Sequence, residues 1–141
     1  MKVMVFGTFD NLHPGHLSYF SQADKLGQEL IVVVARDKNV LKIKGRLPQE
    51  NEIIRIRKIR VQLKELGHEA KVVLGSLSNN WLVLKKYQPD IICLGYDQKV
   101  DLQQLKDELV KSRLFCKIKR LKPYCPEKYK SSYFRGNNLK K

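Results

Sequence analysis

Three observations predict an α/β fold with a doubly wound, parallel, five-stranded sheet for this chain of 141 residues. Short apolar runs alternate with amphipathic stretches from one end of the sequence to the other. The apolar runs are rich in Val and Ile, and several are continuous rather than alternating, as in strands covered on both faces. No internal repeat or low-complexity linker interrupts the pattern. One domain of ordinary size is therefore expected over residues 1–135, with 136–141 as a flexible basic tail.

The elements follow in order. Residues 2–6 contain the run Val3-Met4-Val5-Phe6 and predict the first strand. After a turn through Gly7, a helix is expected over 14–27, with Pro14 at its first position, where a missing N–H costs nothing, and Gly27 as its stop. A strand over 30–35 leads through a loop, 36–49, to a helix over 50–66 that Gly67 would end. Then come a strand over 70–74, a helix over 78–87, a strand over 90–95, a helix over 101–112 capped by Asp101, and a strand over 115–119. Ligands of such sheets bind beyond the carboxyl ends of the strands. The segments that matter are therefore 7–13, 36–49, 75–78, 95–100 and the C-terminal stretch 120–135.

Composition narrows the class. With 43% hydrophobic residues the chain can bury a core, and no apolar run approaches the roughly 20 residues a membrane span needs. Met1-Lys2 running directly into a strand leaves no room for a signal peptide and points to the cytoplasm. Cys93, Cys116 and Cys125 are odd in number and lack CxxC spacing, which argues against a disulfide framework or a structural zinc site. Cys93, inside an apolar run, reads as a small buried residue, and Cys125 as either that or a redox-sensitive thiol. The net charge of +14 is uneven. Residues 36–60 hold nine Lys/Arg against three acids, residues 111–141 hold eleven against one, and the remainder hold eight against ten. Two segments thus carry the whole surplus, a field that attracts nucleotides, phosphorylated substrates or nucleic acid.

The chemistry concentrates in Gly7-Thr8-Phe9-Asp10-Asn11-Leu12-His13-Pro14-Gly15-His16. A strand runs into a glycine turn and then into a helix whose first turn carries two histidines. A helix N-terminus offers N–H groups and a partial positive charge to an anion. His13 and His16, three apart, share one face of that turn, and Gly15 keeps the backbone approachable. Two imidazoles so placed can stabilise charge developing on a phosphoryl group in transit. Zinc ligation would need a third partner; His68 is the only other histidine and Asp10 could serve, but the phosphate reading is preferred and no metal is expected on the protein itself.

Gly7-Thr8-Phe9-Asp10 with His13, Gly15 and His16 resembles the GTFDxxHxGH signature of the cytidylyltransferase-like nucleotidyltransferase superfamily, and the likeness extends to about Arg135. It implies a Rossmann-like fold and a nucleotide site that includes Gly7, Thr8, Phe9, Asp10 and Gly15. Val34-Ala35-Arg36-Asp37, Lys42-Ile43-Lys44-Gly45-Arg46 and Leu94-Gly95-Tyr96-Asp97-Gln98 resemble the archaeal-type FAD synthase branch more than the glycerol-3-phosphate cytidylyltransferases. By that resemblance Lys44 joins His13 and His16 as a catalytic residue contacting phosphates, with Lys42 and Arg46 in support. Gly95 and Asp97 line the nucleotide site. Ser131, Ser132 and Arg135, within Tyr129-Lys130-Ser131-Ser132-Tyr133-Phe134-Arg135, resemble a C-terminal phosphate-holding motif. Arg55 matches the branch's helix-start arginine as a further phosphate contact, although the acidic run expected before it is replaced by Gln49 to Ile54, and Arg57 and Arg60 remain alternatives. Trp81 reads as core or subunit interface rather than a base-stacking platform.

The resemblance implies transfer of an NMP unit to a phosphorylated small-molecule acceptor with release of pyrophosphate. ATP with FMN is preferred, and CTP with glycerol 3-phosphate or a related polyol phosphate is the alternative. Mg2+ is expected on the triphosphate, and a homodimer is the common assembly. The rival from another class is a basic nucleic-acid-binding module. It rests on charge alone: no zinc-finger, RRM or KH pattern is present and aromatics are not interleaved with the basic runs, so only non-specific affinity is expected.

Overall fold

A computed structural model describes residues 1–76, 81–95 and 101–122. Its five strands are β1 (Lys2–Gly7), β2 (Glu29–Val34), β3 (Ala70–Leu74), β4 (Ile91–Leu94) and β5 (Lys117–Arg120). All neighbouring strands pair in parallel, in the order β3-β2-β1-β4-β5. The helices between them are α1 (Pro14–Asp24), α2 (Asp37–Lys44), α3 (Glu52–Glu65), α4 (Leu82–Tyr87) and α5 (Leu102–Lys111). The expected doubly wound sheet is present, and the order reverses between β1 and β4, where such sheets open a crevice for ligand.

The continuous apolar runs have the physical cause the sequence suggested. Val3, Val5, Leu30, Val32 and Cys93 face one layer with Phe20 and Ala23 of α1 and Ile56, Ile59 and Leu63 of α3. Met4, Ile31, Val33, Ile92 and Leu94 face the other, with Val83 and Leu84 of α4 and Leu105 and Leu109 of α5. Successive strand residues point to opposite faces, so a strand between two helical layers must be apolar at every position. Cys93 is fully buried, and desolvation pushes its thiol up to about 11. Trp81 packs partly buried against the second layer, as a core residue does.

Two sequence expectations need correction. Residues 36–49 are not a loop throughout, because Asp37–Lys44 form α2. The helix is short and buries only Val40, and its three lysines gave it the look of a charged loop. Asp37 in the first turn and Lys42 and Lys44 in the last complement the helix dipole, and Gly45 closes the helix in the left-handed region at φ 78°. Gly27 is not the stop of α1, which ends at Asp24 with Lys25 as its C-cap. The role of Gly27 is close approach: a Cβ there would lie 2.5 Å from the Met1 carbonyl oxygen. By contrast Gly67 does end α3, at φ 78°, with its N–H on the Lys64 carbonyl and the His68 N–H on Leu63, the hydrogen-bond pair of a Schellman motif. Asp101 caps α5 through the Gln104 N–H at 3.0 Å, as expected. The start of the helix expected at 78, the residues 96–100 and everything after Lys122, including the expected tail, lie outside the described residues.

Candidate active site

β1 delivers the chain to the reversal point of the sheet, and the turn that follows is held by unusually many groups. Phe9 and Asn11 adopt left-handed backbone at φ 56° and 52°, a conformation asparagine tolerates but a bulky residue such as Phe9 holds only when its surroundings impose it. The ring of Phe9 is buried, 4.9 Å from Phe20 and edge-on to His16 at 5.6 Å between centroids. Gly7 is required beneath it, since a Cβ there would stand 2.6 Å from that ring. Phe9, expected among the nucleotide contacts, is thus a core plug that shapes the turn. Asp10 accepts the N–H groups of Gln49 at 2.7 Å and Glu50 at 2.9 Å. Asn11 returns the contact, donating to the side chains of Glu50 and Gln49. Glu50 also pairs with Lys58, whose ammonium holds its carboxyl below the ordinary range.

Arg55 closes this arrangement. It has no exposed surface, and its guanidinium donates to the carbonyls of Thr8 at 2.8 Å and Glu50 at 3.0 Å and pairs with Asp37 at 2.6 Å. The expectation that Arg55 contacts a phosphate is therefore corrected: its three nitrogens are engaged within the protein and none faces solvent. Its two alternatives look elsewhere. Arg60 donates to the Val72 carbonyl of the edge strand, and Arg57 is exposed and lines with it a groove of about 420 Å3 between α3 and β3. Asp37 and Glu52 cap each other's helices, the Asp37 N–H on the Glu52 carboxylate at 2.8 Å and the Glu52 N–H on Asp37 at 3.2 Å. Arg36 joins Glu52 at 3.4 Å and donates to the Gly75 carbonyl at 2.8 Å. Arg36, Asp37 and Glu52 were missed as site-building residues. The available signal was an Arg-Asp pair directly behind a strand and a glutamate opening the next helix.

The two histidines lie at the start of α1. His13 is its N-cap: its Nδ1 accepts the Gly15 N–H at 3.0 Å, and its own N–H donates to Nδ1 of His16 at 3.3 Å. The rings stack at 3.9 Å between centroids. The expected N–H groups of the helix start are thus partly taken by the imidazoles themselves. In exchange each ring, when neutral, carries its proton on Nε2, because Nδ1 is an acceptor in both. Burial, reinforced by His13 and opposed by Asp10, pulls His16 down to about 4, so near neutral pH it is an uncharged donor. Gly15 is required in this cap: a Cβ would lie 2.8 Å from Cε1 of His13.

Lys42, Lys44 and Arg46 are all exposed at the far end of α2. With Val40 turned inward, helical periodicity puts Lys44 on the same side as Val40 and Lys42 on the opposite side. On the far side of the crevice the Tyr19 hydroxyl donates to the Cys93 carbonyl at 2.8 Å, tying α1 to β4, and Arg120 donates to the carbonyl of half-buried Gly95 at 2.8 Å. Asp97, Cys125, Ser131, Ser132 and Arg135 lie outside the described residues. His68 is not near this cap. It joins Asp24 at 3.0 Å and Ser21 at 3.1 Å, pinning the end of α3 to the last turn of α1. Among the described residues no group of three or more His, Cys, Asp or Glu is placed to hold a metal ion, and no helix is long and apolar enough to cross a membrane.

A strand, a strained turn and a histidine-capped helix at the reversal of a 3-2-1-4-5 sheet agree with the comparison that decides the family: the cytidylyltransferase-like family model matches residues 4–137. The chain belongs to the cytidylyltransferase-like family. Within this family it is 42% identical over 124 residues to a FAD synthase of Aciduliprofundum boonei, across 88% of this chain and 80% of that protein. It is 42% identical over 128 residues to a FAD synthase of Methanosarcina acetivorans, across 89% of this chain and 80% of that one. Among solved structures, a lipopolysaccharide core biosynthesis protein from Thermoplasma volcanium GSS1 superposes with a TM-score of 0.78 at 36% identity, covering 88% of this chain and 98% of its own. This cytidylyltransferase-like chain therefore has the parallel α/β fold that its own strand pairing shows.

Proposed function

We propose that this chain transfers AMP from ATP to FMN, forming FAD and releasing pyrophosphate. The observation that carries the reading is the pair of stacked imidazoles at the start of α1, each with Nδ1 engaged and Nε2 left to face a ligand, at the reversal point of the sheet. The similarity to FAD synthases supports the choice of substrates.

In this reading an FMN phosphate oxygen attacks the α-phosphorus of ATP in line, and the bond from that phosphorus to the bridging oxygen of pyrophosphate breaks. The attacking oxygen is already anionic, so no strong general base is required. His13 and His16 donate to the phosphoryl and leaving oxygens as charge develops there, and Lys44 neutralises phosphate charge from α2. Because the donors are held by the helix start and by each other, little reorganisation is needed during the reaction. The remaining nucleotide contacts, Gly7, Thr8, Asp10, Gly15, Gly95, Asp97, Ser131, Ser132 and Arg135, are carried by resemblance, as are the supporting cations Lys42 and Arg46. A divalent cation such as Mg2+, held by the triphosphate itself, would neutralise part of its charge, while Asp10, three residues before His13, has both oxygens accepting backbone N–H groups. The same reading takes 1–135 as one catalytic domain in a cytoplasmic homodimer.

The test is a matrix of the four NTPs against FMN and several polyol phosphates, scored by pyrophosphate and repeated with His13→Ala and His16→Ala. Turnover with ATP and FMN that collapses in both variants is expected. Turnover with CTP and a polyol phosphate alone would refute the choice of substrates. Salt-sensitive retention on DNA or RNA without any turnover would refute the enzyme.

A further inference from the structure

Among the described residues, the last turn of α2 leaves an apolar side chain of its inner face largely exposed. Val40 is 5% exposed and so marks the side of the helix that meets the body of the protein. At about 100° per residue, Ile43 stands within roughly 60° of Val40, and Lys44 closer still. Yet Ile43 is 75% exposed. A residue on the inner side of a helix stays exposed only where the helix overhangs open space. Leu47, just past the helix, is 58% exposed.

The chain then turns back, and Gln49 and Glu50 are fastened to Asp10 and Asn11 beside the histidine cap. At its other end α2 is fastened through Asp37 to Arg55, which holds Thr8 of the same turn. The overhanging residues thus belong to a loop anchored at both ends to the proposed active site. Between Asp37 and Glu50 there is no acidic residue, and Ile43 and Leu47 alternate with Lys42, Lys44 and Arg46. A ligand complementary to that strip has an anionic end and a broad apolar face. A polyol phosphate offers only the first.

We propose that Ile43 and Leu47 form the apolar wall of the acceptor subsite, selecting a phosphorylated acceptor with a planar aromatic ring system and rejecting polyol phosphates. This rests on the nucleotidyl-transfer reading above and assigns the residues that choose its acceptor. The ring system lies against the two aliphatic side chains while Lys44 faces the acceptor's phosphate. Exposed aliphatics become useful only when the acceptor covers them, so the wall discriminates between acceptors and leaves the triphosphate untouched.

The experiment uses the full chain with Ile43→Asn, Leu47→Asn and both together, and with Ile43→Leu as the conservative control. Both positions are exposed, so folding is expected to be preserved. The double variant is expected to raise KM for FMN at least about tenfold, the scale of lost apolar contacts in a specificity pocket. KM for ATP should stay within about twofold, and quenching of flavin fluorescence on binding should weaken in parallel, with Ile43→Leu close to wild type. An unchanged KM for FMN, or equal rises for both substrates, would overturn the proposal while FAD formation by the wild type still supported the activity. A wild type that turns over CTP with a polyol phosphate and not ATP with FMN would overturn the activity and this wall with it. A shift in oligomeric state by gel filtration with KM for FMN unchanged would assign the two residues to a contact between copies of the chain, against the proposal.

Discussion

Two segments follow neighbouring strands at the same edge of the sheet and are built in opposite ways. The turn after β1 is saturated: Thr8, Asp10, Asn11, His13 and His16 all spend polar groups on partners within the protein. The end of α2, after β2, leaves Lys42, Ile43, Lys44, Arg46 and Leu47 exposed. Where charge develops during a reaction, donors gain most by being fixed in advance. Where a substrate must arrive and leave, side chains need access. The buried Arg55 joins the two, bonding Thr8 on one side and Asp37 on the other, so the exposed arm keeps its register against the rigid turn.

Breaking that joint is expected to have the largest effect. Arg55→Ala leaves the Asp37 carboxylate and two carbonyls without their donor and should destabilise the fold by about 3–5 kcal/mol, read by urea unfolding. Arg55→Lys should recover only part of this, because an ammonium cannot reproduce the planar fork. Removing either imidazole strikes the rigid side alone. His13→Ala or His16→Ala should lower turnover roughly 10²–10³-fold in a pyrophosphate assay.

Smaller changes sharpen the contrast. Gly15→Ala places a methyl 2.8 Å from His13 and must swing that ring away, so turnover should fall by about tenfold while the unfolding midpoint moves little. On the exposed arm, Lys44→Ala should raise KM by several-fold with stability within about 0.5 kcal/mol of wild type, and Lys42→Ala, on the outward side of α2, should do less.

A pH dependence probes the rigid side separately. His16 titrates near 4 in the folded protein and near its ordinary value of 6.5 when unfolded. Between those values the unfolded chain binds a proton that the native chain does not. Stability should therefore fall as pH drops from about 6.5 toward 4, and level off below. Urea unfolding at stepped pH should show this slope in wild type and a shallower one in His16→Gln. The NMR titration of the His16 ring should move upward when triphosphate is added, since an anion favours the imidazolium.

The comparison between segments also marks what could be read in advance. The turn and its histidines were legible because strand, glycine turn and capped helix each leave a local signature, and His13 and His16 can only share a face at that spacing. Arg55 was singled out for the wrong task. Nothing local distinguishes an arginine exposed to a ligand from one buried beneath a loop, because the carbonyls it satisfies are 5 and 47 residues away in sequence. α2 was read as loop because eight residues with one buried side chain and three lysines look like a charged connection between longer elements. Gly27 was read as a helix stop, whereas its requirement comes from Met1 passing against it.

Local pattern alone settled the parallel α/β class, the family likeness and the histidine pair, since periodicity, turn chemistry and spacing are properties of neighbours in the chain. Tertiary structure decided which cation is buried and which is offered to solvent, how far burial lowers the His16 imidazole, and where α2 overhangs open space. Burial and hydrogen-bond partnership are properties of neighbours in space, and only the folded sheet brings residues 8, 37, 50 and 55 within reach of one another.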